Sequence, residues 1–460
     1  MYQTTIKKSI SFSGKGIHTG VYTNITLFPA KEDTGIQFLR SDLPKKPIIK
    51  ANINNVSSTN RSTCLKSNNA EIKTVEHLLA SLTGMSIDNI IIDSDNIEIP
   101  ILDGSAYDFC ELIEKAGIKQ LNKQRSFYKI KNKITYFDKV SGTSYTALPS
   151  ENYEIETEID YDLKILKGQR AKLNSIENFK KEIASSRTFC FLHEINYLQE
   201  KGLIRGGDID NAIIITDKKI SEKDEIKLTK YFNKKVTSIN GILNNTKLRF
   251  KNEPARHKIL DIIGDLSLIG IPLMAKITSS KPGHKNNIKF AKYLKKIIMD
   301  DLNKISPKIN LKEAPFLNKE KIKKILPHRK PFLFIDEIRE IGDDYIIGVK
   351  YVSKDEYYFE GHFPSEPVMP GVLQLETMAQ AGGVLILSTV EKPEDYLTFF
   401  MKIDNAKFKK KVVPGDIIIF RLNLISPIRR GLCHMHGKGF VNDKIVVEAD
   451  LLAQITKKNK

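Results

Sequence analysis

In PARHKILDIIGDLSLIG, His257, Asp261 and Asp265 recur every four residues. At about one hundred degrees per residue they share one face of a helix, opposite a stripe of Ile259, Ile262, Ile263, Leu266 and Ile269. Residues four apart are neighbours, so His257 and Asp261 can grip one metal ion; the plain alternative is the solvated face of an amphipathic helix. In KTVEHLLASLTG, Val75, Leu79 and Leu82 form the apolar stripe, and His77 points nearly opposite. His77 is therefore not a core histidine. Two histidines and a carboxylate suit zinc, with the fourth position left for water in a catalytic site. Glu76, beside His77, is placed to take the proton from that water. His284, in SSKPGHKNN, has a Pro-Gly setting that suits a general acid, although a loop histidine is usually a plain surface residue.

A second stretch, HFPSEPVMPGVLQLETMAQAGG, sets His362 among prolines and follows it with a helix-compatible run that is apolar almost all round except for Glu376. Pro370 suits the first turn of this helix, and its composition predicts burial. The amides of Gly371 and Val372 have no partner within the helix and lie at the positive end of its dipole. They are ready donors for a carbonyl oxygen, and Gly371 lets a substrate come close. Glu376 lies about 7.5 Å further along the axis. Alternatively, Glu376 faces a water-filled gap or an inter-subunit hydrogen bond, and His362 caps its neighbours.

The elements that must position these groups are mixed. Residues 1–125 read as short strands, the helix of KTVEHLLASLTG, an apolar strand at NIIID and a second helix after LDGS. Residues 126–302 repeat that style without a fixed sequence period, so related folds are open to the two halves of an α+β region. A lysine-rich excursion lies between Asp217 and Leu248, and residues 303–319, with Pro307 and Pro315, read as a linker. Residues 320–460 form a third region, strand-rich around one apolar helix.

Composition narrows the classes. The 460 residues carry a net charge of +18, which suits acidic partners, but the lysines are scattered and not striped with aromatics, so no nucleic-acid partner is expected. Four cysteines, Cys64, Cys110, Cys190 and Cys433, form no CxxC pair and fit a reducing cytoplasm. No apolar stretch reaches membrane-spanning length, and the first residues lack a signal-peptide core.

Taken together, TVEHLLASL, RHKILDIIGD, SRTF (Ser186 to Phe189), GKGIHTG, EIPILDGSA and KPGHKNN resemble the zinc-dependent UDP-3-O-acyl-N-acetylglucosamine deacetylases of lipid A synthesis, over about residues 1 to 302. The resemblance implies a fold of two similar α/β-sandwich halves, zinc (Zn2+) ligands at His77, His257 and Asp261 and a general base at Glu76. It implies a role in leaving-group protonation or charge stabilisation for His284, oriented by Asp265, and an oxyanion contact for Thr188. It further implies a UDP-linked acylated glucosamine as substrate, with Lys258 at the diphosphate, Tyr161 stacked on uracil and His18 nearby.

LPHRKPFLFID, EGHFPSEPVMPGVLQLETMAQAGG and MKIDNAKFKKKVVPGD resemble the (3R)-hydroxyacyl-[acyl carrier protein] dehydratases of fatty acid synthesis, over about residues 320 to 460. The implied fold is the hot-dog, a curved antiparallel sheet around a long helix. Implied roles are α-proton abstraction by His362, protonation of the departing hydroxyl by Glu376, and polarisation of the thioester carbonyl by the Gly371 amide. Each site is expected to span two chains of a homo-oligomer, dimer-based and extending to a hexamer, with the acidic acyl carrier protein as partner. The alternative is that one module is retained as a non-catalytic acyl-binding or scaffolding domain.

Overall fold

Runs such as NIIID alternate inward and outward residues, and strands of this kind build the two larger sheets of residues 1–296. The computed structural model describes residues 1–163, 165–195, 204–216, 220–239, 241–243, 247–302 and 304–458. They fall into two units, Met1–Lys296 and Ile297–Lys460.

The first unit holds two sheets of the same topology. In one, the spatial order is Ile10–Lys15, Tyr22–Pro29, Ile90–Ser94, Ile36–Arg40 and Ile48–Lys50. In the other it is Ile134–Asp138, Thr143–Pro149, Leu273–Ser280, Tyr153–Ile159 and Gln169–Leu173, with Tyr128–Lys129 beside Leu273–Ser280. In each sheet the strand that comes last in sequence sits in the centre, antiparallel to the second and parallel to the third. One helix precedes that central strand and one follows it. These are α1 (Glu76–Gly84) and α2 (Tyr107–Ala116) in the first half, and α3 (Glu253–Ser267) and α4 (His284–Leu302) in the second. The halves are thus alike in topology, although no sequence period relates them.

The lysine-rich excursion is structured where it is described. Helix Glu222–Phe232 sets Leu228 and Phe232, with Ile220 and Val236, into a small core of its own with Ile195, Ile209 and Ile214. Residues 217–219, 240 and 244–246 lie outside the described residues.

In the second unit six antiparallel strands run in the order Glu337–Ile341, Tyr345–Tyr351, Ile417–Leu424, Leu432–Val441, Lys444–Lys457 and Tyr396–Phe408. They pack on α5 (Gly371–Leu387), whose Met378, Ala381, Val384 and Leu385 share a core with Phe420, Leu422, Met435 and Val447. Ahead of the sheet, Leu317 pairs with Ile338 through two backbone hydrogen bonds of 3.0 and 2.9 Å. The expected burial of α5 on all sides fails along one line, because the sheet covers only part of the helix. Val372 is 69% exposed, and Glu376 and Ala379 are half-buried on the same side. The edge strand Tyr396–Phe408 likewise exposes Phe399, Met401, Ile403 and Phe408. Among the described residues, no helix is long and apolar enough to cross a membrane.

Candidate active sites

The first site lies where α1 and α3, equivalent helices of the two halves, pack face to face. Gly264 makes this possible: a Cβ there would fall 2.2 Å from the Glu76 carbonyl oxygen. The polar face of α3 is consequently not solvated. His257, Asp261 and Asp265 are 2%, 1% and 0% exposed, and Glu76 and His77 of α1 are 2% and 4% exposed.

His77, His257 and Asp261 converge, with one ligand atom from each lying within 4.8 Å of the others. Asp261 Oδ1 is 3.3 Å from His257 Nε2 and 4.0 Å from His77 Nε2. The His257–Asp261 spacing equals the roughly 3.3 Å expected between two ligands of one zinc ion, and His77 stands wider. The fit to a metal rests on hydrogen bonding. His257 Nδ1 lies 3.0 Å from the Ser186 carbonyl, which fixes a proton on Nδ1 and turns the lone pair of Nε2 toward Asp261. Burial lowers the pKa of His257 and pushes that of His77 down to about 3, so both are neutral at pH 7. Burial would raise the Asp261 carboxyl, but Lys258, His257 and His284 hold it well below the usual carboxylate range. Asp261 Oδ1 is buried without a hydrogen-bond partner. An anionic oxygen and nitrogen lone pairs facing one another in a dry site are what a divalent cation satisfies.

Glu76 and His284 flank this cluster. Glu76 Oε1 is 3.8 Å from His284 Nε2, which is itself 3.9 Å from Asp261 Oδ2. His284 Nδ1 lies 2.8 Å from Asp265 Oδ2. Burial pushes Glu76 up to about 7, with His284 opposing. Burial alone would lower His284, but Asp265 and Asp261 outweigh it and raise the imidazole to about 10. A carboxyl able to take a proton thus faces an imidazolium able to give one.

Of the residues expected at the substrate, Lys258 touches the cluster itself. Lys258 Nζ is 2.8 Å from Asp261 Oδ2 and lies over the Phe189 ring at 5.1 Å. Tyr161 meets Phe189 and Phe191 edge-on, at 6.0 and 5.2 Å. Thr188 sits between Ser186, which holds His257, and Phe189, and its amide donates to the Gly104 carbonyl at 2.8 Å. The His18 amide donates to buried Glu98 at 2.9 Å. Sequence reasoning missed three supporting groups. Asn287 Nδ2 donates to Asp265 Oδ2 at 2.8 Å, and buried Glu253 grips Arg187 at 2.9 Å, fixing SRTF to the start of α3. Thr63 touches both Glu76 and Asp265. Asn287 was within reach, three residues after His284 in KPGHKNN, whereas Thr63 and Glu253 carry no local signal.

In the second unit, His362 and Glu376 find different neighbours. His362 Nδ1 lies 2.6 Å from the Val368 carbonyl, and its amide donates to Tyr358. Glu376 Oε1 accepts from Gln380 at 2.9 Å and lies 3.5 Å from His328 Nε2. His328 lies in LPHRKPF, whose sequence alone gives it no role. A cavity of about 80 Å3 runs from His328 and Glu376 between α5 and the sheet, past Gly383, Ile386, Met435 and Leu451. Gly371 opens α5 with the Phe408 ring pressed on it: a Cβ would stand 2.7 Å from that ring.

The first unit therefore has the makings of a metal-dependent hydrolase, and the second is a hot-dog domain with a carboxyl on its central helix. Residues 3–235 and 231–296 match the family of UDP-3-O-acyl N-acetylglycosamine deacetylase, and residues 326–450 match the FabA-like domain. The chain is 45% identical to the "Bifunctional enzyme LpxC/FabZ" of Bacteroides thetaiotaomicron over 99% of both chains. It is 42% identical to the enzyme of that name from Porphyromonas gingivalis over 98% of both. With the UDP-3-O-acyl-N-acetylglucosamine deacetylase of Syntrophus aciditrophicus it shares 38% identity over 64% of this chain and 86% of that one. The protein belongs to the bifunctional LpxC/FabZ family.

Proposed function

We propose that residues 1–302 hydrolyse the N-acetyl group of a UDP-3-O-(3-hydroxyacyl)-N-acetylglucosamine, and that residues 320–460, beyond a connecting segment 303–319, dehydrate (3R)-hydroxyacyl-[acyl carrier protein] to the trans-2-enoyl form. The observation that carries the first half is the buried, unpartnered Asp261 Oδ1 between two neutral histidines, with Glu76 and His284 beside it. His77, His257 and Asp261 would hold zinc, which when bound supplies Lewis-acid polarisation of the acetamide carbonyl. Glu76 takes a proton from the attacking water as the new C–O bond forms. His284, oriented by Asp265, gives a proton to the nitrogen as the C–N bond breaks, leaving acetate and a free amine. Thr188 donates to the oxygen on which charge develops, Lys258 meets the diphosphate, and Tyr161 stacks on the base.

In the second reaction His362 removes the α-proton, Glu376 protonates the departing hydroxyl, and water leaves. His362 and Glu376 keep different company within one chain, and the apolar Tyr396–Phe408 edge is open. Both features favour a homo-oligomer built from dimers, in which His362 of one chain serves Glu376 of another, and assembly of those dimers into a hexamer is part of the same proposal. The enzyme is assigned to the cytoplasm, where both substrates are made soluble by their carriers.

Both activities measured on full-length His257→Ala and His362→Ala variants test the scheme. Each substitution is expected to abolish only its own reaction, and loss of both or neither would sink the two-site assignment. Mixing and reassembling inactive His362→Ala and Glu376→Gln chains should restore dehydration to about a quarter of the wild-type level, since half the dimers would be mixed and one site of each intact. No restoration would place the pair in a single chain.

A further inference from the structure

Thr63 is wholly buried and lies outside every motif that marks the site. It nevertheless touches both proton-handling arms of the deacetylase centre. Its backbone amide donates to Glu76 Oε2 at 3.0 Å, and its hydroxyl donates to Asp265 Oδ1 at 2.5 Å. The same hydroxyl oxygen is 3.4 Å from His284 Nδ1. The Thr63 carbonyl in turn accepts from the Val75 amide at 3.2 Å, one residue before α1 begins. One residue therefore braces the start of α1, one oxygen of Glu76, and the oxygen of Asp265 that His284 leaves free.

This last contact has a definite chemical use. Asp265 presents Oδ2 to both His284 Nδ1 and Asn287 Nδ2. A carboxylate held only through that oxygen can swing about its χ2 torsion, which is soft. The Thr63 hydroxyl pins Oδ1, so the plane of Asp265 and with it the His284 ring are fixed, while Oε1 of Glu76 stays turned toward His284 Nε2. We infer that Thr63 is a positioning residue of the deacetylase, holding Glu76 and the Asp265–His284 pair in mutual register. The inference rests on the deacetylase reading of this unit.

The test uses the full-length, metal-loaded chain. Thr63→Val keeps the shape and the backbone amide but loses the hydroxyl; Thr63→Ser keeps the amide and the hydroxyl and loses only the methyl group. Loss of one hydrogen bond to a charged group predicts a fall in kcat of about tenfold to hundredfold for Thr63→Val. KM, metal content and dehydratase rate should stay at wild-type values, the melting temperature should fall by no more than the one lost bond costs, and Thr63→Ser should recover kcat to within about threefold. In an Asp265→Asn background the Val substitution should cost little further, because the contact it removes is already weakened. If Thr63→Val does not fold, Thr63→Ala and Thr63→Ser, which differ by the hydroxyl alone, make the same comparison. A Val variant with unchanged kcat, a Ser variant as slow as it, or losses that multiply independently with Asp265→Asn would each overturn the inference. Absence of deacetylation by the wild-type chain would instead remove the reading beneath it.

Discussion

Gly264→Ala tests the helix contact on which the first site depends. The new methyl group would stand 2.2 Å from the Glu76 carbonyl oxygen and 3.1 Å from its Cα, both backbone atoms that no rotamer change can move. Ordinary contact requires about 3.4 Å, so α1 must retreat from α3 by roughly 1 Å. Glu76 and His77 are the first two residues of α1 and move with it, while His257 and Asp261 stay on α3. A 1 Å misplacement at a reacting centre can lower the rate on the order of a hundredfold. Overpacking costs about 1–3 kcal/mol, offset by about 1 kcal/mol because alanine favours a helix interior over glycine. The protein should therefore fold, melt slightly lower, bind metal more weakly and lose about a hundredfold in deacetylase kcat/KM. Metal content by mass spectrometry and the two activities, assayed on one sample, measure this. Dehydration by the same chain reports the amount of folded enzyme. Wild-type metal content with kcat/KM within about threefold of wild type would refute the reasoning.

Other substitutions probe separate supports. Glu253→Ala leaves the Arg187 guanidinium buried without its 2.9 Å partner; breaking such a pair costs about 3–5 kcal/mol, and calorimetry should show the deacetylase unit melting well below the wild-type temperature. Burial would raise Asp103, but bonds from Ser105 and Arg249 hold it below the usual carboxylate range. Its stabilisation is therefore present at neutral pH and lost as pH falls below about 4 and through the folded pKa. Asp103→Asn should melt lower than wild type at pH 7, and the gap should narrow on acidification. His328→Ala, which removes the imidazole 3.5 Å from Glu376, should slow dehydration about fivefold and leave deacetylation unchanged.

Local periodicity made the polar face of α3 readable, because His257, Asp261 and Asp265 are spaced by about one helical turn. It could not tell whether that face meets water or another helix. The answer lay in a contact between Gly264 and Glu76, far apart in the chain, and glycine leaves no pattern that announces its neighbour. Thr63 stayed hidden for the same reason: its partner Asp265 is 202 residues away. That the two halves are alike was legible in their repeated style, but their shared strand order was out of reach, since strand order depends on which faces are buried and not on residue identity. For α5 the apolar composition predicts burial without saying what covers the helix. The line through Val372 and Glu376 shows that a sequence cannot separate surface covered within a chain from surface left open by it.

The exposed apolar strand Tyr396–Phe408 also bears on biosynthesis. The ribosome makes residues 1–296 first, and a leading domain generally folds while the rest is still being made. The two sheets of the deacetylase unit can therefore close before Phe399, Met401 and Ile403 leave the exit tunnel, and a strand that could mispair with their edges arrives late. Reversing the gene order of the two units would remove that temporal protection, and inclusion bodies would be the expected symptom.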